Sequence, residues 1–441
     1  MIEDRNIICF ASNWFYDPTS KHHVMKLLSR HNHVIWVNYH ASRRPQLSSA
    51  DLGGAVAKLR QFVQGPRRVT PNITVVTPLV LPIPGNRAVA ALNRELLTRQ
   101  IWSVLRNLPD RPAQLWSFAP DVDYLCGRFD EECVVYYCVD EFSQFSGYDA
   151  SAVAAAEERL IRRADLVVTT SQALHDAKQA VVSSPRRRSR ASRGPSLSPP
   201  DAADAFDVDP PGDESRSNRQ AEVVLVPHGV DYDHFAQATS PDTIVPADIA
   251  DLPKPILGFW GLIQDWLDLD LLADVARARP DWSIVLIGEA LADTSALSDL
   301  PNAHLLDRRP YRSLPDYAKG FDLGLIPFRI NSLTRAVNPI KLREYLSAGL
   351  PVVSTPLPEV QRYRNLVRIA DSPSDFVAVC EHTLAEEKSD GARLAAARQA
   401  AMRHETWEAK VEELSDHVRR NMRTGLRFVP APAPTDTALL A

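Results

Sequence analysis

Short apolar runs alternate along the chain with longer stretches in which apolar residues recur every three or four positions. The runs at 6–12 (NIICFAS), 33–39 (HVIWVNY), 113–120 (AQLWSFAP), 132–140 (ECVVYYCVD) and 164–171 (ADLVVTTS) are rich in Val, Ile and aromatic residues. Helical patterns such as SKHHVMKLLSRH lie between them. Near-continuous apolar strands separated by helices predict a parallel sheet covered on both faces. A second alternation follows at 255–262, 282–289, 303–310, 322–328 and 351–355, with a helix expected from Asp268 to Arg279. The expected fold class is therefore α/β, with two tandem Rossmann-like, doubly wound domains. Such sheets bind ligands outside the carboxyl ends of their strands, so the crevice between the domains is the expected site.

Residues 183–222 break the pattern with a basic half, an acidic half, many Ser and Pro, and almost nothing to bury. That composition predicts disorder, and a tolerated loop insertion is its simplest reading. The expected organisation is a first domain over 1–182, the insertion over 183–222 and a second domain over 223–389. A helix over 390–425 and a loose tail over 426–441 complete it, with 221–231 (AEVVLVPHGVD) read as a strand leaving the first domain.

Composition adds three points. No apolar run approaches the roughly 20 residues of a membrane-spanning helix, and the N-terminus lacks a cleavable signal pattern. The five cysteines (Cys9, Cys126, Cys133, Cys138, Cys380) include no CxxC pair, which fits a reducing, cytoplasmic location better than a disulfide or zinc scaffold. Finally, the net charge of −5 is uneven: residues 1–120 hold 15 Lys+Arg against 6 Asp+Glu, or +9, leaving −14 for the rest. A basic first third suits a phosphate-bearing substrate or an anionic membrane surface; a merely solvated face is the alternative. The segment 86–108, with Arg87, Arg94, Arg99 and Arg106 beside Leu92, Leu96, Ile101, Trp102 and Leu105, is an amphipathic helix. It can rest on anionic lipid or pack onto the sheet.

The stretch NPIKLREYLSAGLPVVST (338–355) carries the chemistry. Asn338 is a good N-cap and Pro339 a natural first helical residue, which places Lys341 at the third helical position and Glu344 at the sixth. A lysine is misplaced by some tenths of a kcal/mol at the positive end of a helix dipole unless an anion joins it there. A diphosphate would meet both the amine and the free N–H groups, and Glu344 could accept hydrogen bonds from vicinal hydroxyls. The alternative is a surface Lys–Glu pair worth about 0.2–0.5 kcal/mol, in its poorer orientation.

These residues, together with VPHGVD, GFWGLIQDWLDLDLL, RRPYRSLPDYAKGFDLGLIPF and VVYYCVDEFSQF, resemble GT-B glycosyltransferases. The similarity is to the family 4-like bacterial group that builds capsule, exopolysaccharide and teichuronic acid. It implies sugar transfer from a nucleotide diphosphate sugar, with a UDP-sugar favoured, to a glycan or lipid-linked acceptor in cell-surface polysaccharide synthesis. It also implies a last helix that crosses back to the first, acceptor-side domain. By resemblance, Lys341 contacts the donor diphosphate, Glu344 the ribose, and the Gly258–Gly261 loop the phosphates, while Arg309 and Tyr311 lie near the base. Asn338 belongs to the same donor-binding set, and Asp140 faces the cleft from the acceptor side. Departures are Ala336 where the group usually has a second glutamate, LIQDW in place of a basic loop, and ASNWFYD in place of a glycine pair.

Asp140 is the candidate general base, with Glu141 as its understudy; a strand-end carboxylate that caps the next turn is the other reading. Lys21, His22 and His23 follow the first strand's loop and are candidates to meet acceptor or phosphate. Four D-x-D triplets occur, but one lies in the insertion and another opens a helix, so no metal and no cofactor are expected. No GxGxxG opens either domain, and neither GxxxxGK[ST] nor G-x-S-x-G occurs, which argues against dinucleotide oxidoreductases, P-loop NTPases and elbow-type hydrolases. No nucleic-acid partner is expected. A peripheral position on the inner face of the plasma membrane remains compatible. Two rival readings stay open: a nucleotide-sugar epimerase on the same fold, and a non-catalytic, sugar-nucleotide-binding assembly factor.

Overall fold

The computed structural model of the chain describes residues 1–16, 18–39, 64–78, 87–185 and 220–423. The insertion expected at 183–222 lies largely outside the described residues, and the tail at 426–441 wholly so. Strands β1 (Asn6–Ala11), β2 (His33–Asn38), β3 (Arg67–Thr70), β4 (Ile73–Val76), β5 (Ala113–Ser117), β6 (Cys133–Cys138), β7 (Leu166–Thr169) and β8 (Glu222–Leu225) form one sheet. Its order is β3-β4-β2-β1-β5-β6-β7-β8, parallel except for the β3–β4 pair. Strands β9 (Ile256–Trp260), β10 (Ser283–Ile287), β11 (Ala303–Leu306), β12 (Leu323–Ile326), β13 (Val352–Ser354) and β14 (Arg368–Ile369) form the second sheet, all parallel, in the order β11-β10-β9-β12-β13-β14. The architecture is GT-B.

Every apolar run read as a strand is one, because continuous Val/Ile stretches have both faces to bury. Residues of β1, β6, β9 and β10 are buried without exception. The strand at 221–231 does not leave the first domain, however: β8 pairs with β7 and closes the first sheet, so that sheet runs past the boundary expected at 223. The short strands β3, β4 and β14 lay below the reach of the pattern. The single helix expected over 390–425 is two helices, Phe376–Met402, with non-helical backbone at Asp390, and Trp407–Asn421. The second does cross back. Its Trp407, Val411, Leu414 and Val418 are buried in the apolar cluster on one face of the first sheet.

The amphipathic helix spans Arg87–Leu105, and Leu97, Ile101, Trp102, Val104 and Leu105 are buried against the other face of that sheet. Its apolar stripe is thus largely consumed by packing, and Leu92 stays exposed. Among the described residues no helix is long and apolar enough to cross a membrane.

In the second sheet, β9 lies between β10 and β12, so the chain leaves β9 in one direction and returns on its other side. That reversal opens a crevice at the carboxyl ends of β9 and β12. The turn after β9 and the loop and helix after β12 (Ile340–Ser347) both end there. In the first sheet, β1 between β2 and β5 makes the same kind of reversal.

Candidate functional site

At the second-domain edge, Gly261 follows β9 with φ +138°, a backbone region that side-chain-bearing residues rarely adopt. A Cβ there would overlap the Lys341 side chain, and a Cβ on Gly288 would overlap the Gly261 carbonyl. Two glycines thus let the ends of β9 and β10 close up under the lysine. Gly258, by contrast, lies inside β9, where a Cβ would overlap the Phe321 ring. It packs the sheet and stands in no phosphate loop.

The helix starts one residue later than expected. Pro339 is the N-cap, so Lys341 is the second helical residue and Glu344 the fifth. Lys341 is half-buried, with its ammonium 5.5 Å from the Phe259 ring centroid. It makes no hydrogen bond or ion pair with any described residue. Burial pushes its pKa below the ordinary lysine value, and the Glu344 carboxylate works against that shift. Glu344 is buried, and its Oε2 accepts a hydrogen bond from Trp260 Nε1 at 2.7 Å. Burial raises its pKa, against the pull of Lys341, the Trp260 bond and His234.

Asn338 does not cap the helix. Its Nδ2 donates to the Thr170 carbonyl of the first domain at 2.6 Å, and its Oδ1 accepts from Arg343 at 2.8 Å. It joins the domains. Arg309 is committed as well: Nη2 donates to Asp248 at 2.9 Å and Nε to the Tyr317 hydroxyl at 2.8 Å, which fixes the loop after β11. Tyr311 stacks on His234 with centroids 4.7 Å apart and meets His23 of the first domain at 5.7 Å. His23 in turn stacks on Trp407 at 5.2 Å, so three segments converge on one imidazole.

At the first-domain edge, Lys21 is the second residue of the helix Ser20–Leu28. Burial lowers its pKa, and Asp140 and the Cys9 thiol work against that. Asp140, just beyond β6, accepts no hydrogen bond on its carboxylate from a described residue; burial raises its pKa and Lys21 lowers it. Glu141 is spent, accepting from Lys178 at 2.9 Å and from Ser143 at 2.7 Å. Its pKa falls below the usual value, the partners outweighing burial. Lys178 also reaches Glu157 at 2.9 Å, and Glu157 holds the Tyr136 hydroxyl at 2.6 Å. His22 is a core residue. Its Nδ1 accepts from the Thr19 N–H at 3.2 Å, Nε2 donates to the Trp14 carbonyl at 3.2 Å, and its ring lies 4.7 Å from Trp36. Burial is the main reason its pKa falls to about 3, so it is neutral, with both ring nitrogens committed to local contacts.

Lys341, Glu344, Gly261 and Tyr311 thus gather on one side and Lys21, Asp140 and His23 on the other. Gly258, Asn338, Arg309, Glu141 and His22 serve packing or fixed contacts. Trp260, His234 and Gly288 belong to the site although the sequence did not single them out; a tryptophan and glycine ending a strand were the available signal. Of the D-x-D aspartates, Asp123 pairs with Arg159 at 2.9 Å and Asp268 caps the helix Leu269–Ala278. No group of three His, Cys, Asp or Glu suited to a metal ion occurs among the described residues.

No protein-family model matches the chain. It is 25% identical over 289 residues to TuaH of Bacillus subtilis (strain 168), described as "Putative teichuronic acid biosynthesis glycosyltransferase". That match covers 62% of this chain and 64% of the relative, a little under two thirds of its length. Among solved structures, HepE from Anabaena in complex with UDP superposes with a TM-score of 0.58 at 13% identity, covering 95% of this chain and 100% of that one. Sucrose-phosphate synthase from Thermosynechococcus elongatus gives 0.62 at 12%, covering 94% and 98%. An α,α-trehalose-phosphate synthase from Burkholderia xenovorans, described as UDP-forming, gives 0.59 at 11%, covering 95% and 99%.

Proposed function

We propose that the chain is a glycosyltransferase that takes a sugar from a nucleoside diphosphate sugar, with UDP as the carrier, and delivers it to a glycan or lipid-linked acceptor of a cell-surface polysaccharide. The observation that carries this reading is the Lys341 ammonium, unpaired among the described residues, over Gly261 at the head of a helix and beside the carboxylate of Glu344. A diphosphate docked there meets the amine and the free helix N–H groups together. TuaH supports the glycan side of the reading, and the UDP complex of HepE supports the carrier.

In this mechanism an acceptor hydroxyl attacks the anomeric carbon, the bond from that carbon to the diphosphate oxygen breaks, and Asp140 takes the hydroxyl proton. Burial, which raises the Asp140 pKa, makes it a better base than a solvated aspartate, and Lys21 works against that rise, on the side of the carboxylate. Charge that develops on the departing diphosphate falls on Lys341 and the helix N-terminus. No step calls for a metal.

Thermal-shift titration with UDP, UDP-sugars, GDP and TDP tests the proposal. UDP and its sugars should stabilise the protein, Lys341→Ala should abolish the shift, and Lys21→Ala should leave it intact. Stabilisation by none of these nucleotides would overturn the reading. Incubation of donor alone separates out the epimerase, which would alter the sugar without any acceptor. Tight binding without turnover on any acceptor would identify an assembly factor.

A further inference from the structure

Trp260 has no place in the reaction above, yet it bonds to two consecutive residues of the donor-side helix. Its indole Nε1 donates to Glu344 Oε2 at 2.7 Å, and its backbone N–H donates to the Tyr345 hydroxyl at 3.3 Å. The next residue is Gly261, over which Lys341 lies. The indole itself cannot turn. It is 3% exposed, stacked with Phe235 and Phe321 at centroid distances of 6.0 Å each, and edge-on to Tyr345 at 4.4 Å. A rigid donor therefore holds one oxygen of a carboxylate that lies 84 residues further along the chain.

We infer that Trp260 is a positioning residue for the donor nucleotide: it fixes Glu344 so that Oε1, which accepts no hydrogen bond from a described residue, is presented to the vicinal hydroxyls of a ribose. The inference rests on the proposed binding of a nucleoside diphosphate at Lys341 and Glu344, and it adds a specificity. A carboxylate pinned through one oxygen and aimed through the other discriminates a ribose from a deoxyribose. The Trp260 N–H also counters the upward push of burial on Glu344, which favours the carboxylate form that accepts hydrogen bonds.

Calorimetric titration of the full chain with UDP and 2′-deoxy-UDP at pH 8 and pH 6 tests this, comparing wild type with Trp260→Phe, which keeps an apolar ring and removes the N–H. Wild type should prefer UDP at both pH values. The variant should bind UDP roughly tenfold more weakly, lose most of the UDP over deoxy-UDP preference, and lose more affinity than wild type between pH 8 and pH 6, because the N–H that opposes the upward shift of Glu344 is gone. A merely structural role would weaken both nucleotides equally at both pH values, and that result would overturn the inference while leaving the proposed function standing. Absence of UDP binding by wild type would overturn both. If Trp260→Phe does not fold, benzothienylalanine at position 260, which replaces the N–H by sulfur in the same shape, gives the same decision.

Discussion

Two buried or half-buried lysines, Lys178 and Lys341, show how like side chains are put to opposite uses. Lys178 is 3% exposed and sits between two carboxylates, Glu141 and Glu157, each at 2.9 Å. Burial lowers its pKa, but Cys138 and those two carboxylates outweigh it and push the value above that of an ordinary lysine. Lys341 has only a carboxylate on its own helix and an aromatic face, and its pKa moves down instead. The first lysine completes a network internal to the protein. The second has a charge left over, at a place where the helix already favours an anion. The same contrast separates Asp140 from its neighbour Glu141: one carboxylate is without a hydrogen bond from described residues, the other is held by Lys178 and Ser143.

These contrasts can be broken in order of expected effect. Asp140→Asn should lower turnover by about 10²–10⁴-fold, with the UDP-induced thermal shift retained; near-normal turnover at saturating substrates would remove Asp140 from the mechanism. Lys178→Met should cost about 3–5 kcal/mol of stability in denaturant unfolding, because it leaves the buried Glu157 and the half-buried Glu141 without their cation. It should not change UDP affinity in the folded fraction. Lys341→Ala should do the reverse, weakening UDP by about a hundredfold, the worth of a charge-assisted contact or two, while stability stays within about 1 kcal/mol.

Acid should find the histidines next. His22 and His23 have pKa values lowered to about 3 and about 4, chiefly by burial. The unfolded chain protonates them near pH 6.5 and the folded chain does not, so their contribution is present above that value and is lost as pH falls through the window. Between pH 6.5 and pH 5 each should cost about 2 kcal/mol. Urea midpoints across that range should fall, and His22→Phe should flatten the fall. The smallest effect belongs to Glu141→Gln, which keeps a partner for Lys178 and should change turnover by less than about threefold. A loss as large as that of Asp140→Asn would reverse the comparison.

The strands were legible because each is a continuous apolar run, and a buried parallel sheet asks for little else. Lys341 was legible because a cation in a first helical turn stands out against the dipole. What escaped was decided by partners distant in sequence. Nothing near Glu141 announces Lys178, 37 residues on, and nothing near Asn338 announces Thr170, 168 residues back. Gly258 and Gly261 look alike in GFWG, yet one is pressed against a phenyl ring and the other turns the chain beneath an amine. Ala336, where the resemblance to the family 4-like group leads one to expect a glutamate, lies in the apolar cluster of the first domain, with its carbonyl bound by Ser171 at 2.6 Å.

The consecutive residues 170–172 hold the second domain at three points: Thr170 through Asn338, Ser171 through the Ala336 carbonyl, and the Gln172 amide through Glu359 at 2.8 Å. Such a seam works like the spine of a book. The two domains also meet where Ser332 touches Gln144, where Phe145 abuts Trp266 and where Tyr311 meets His23. A staple across positions 144 and 332 should therefore add a second line of attachment to the one at residues 170–172, and a clamped molecule would bind its pages at two margins.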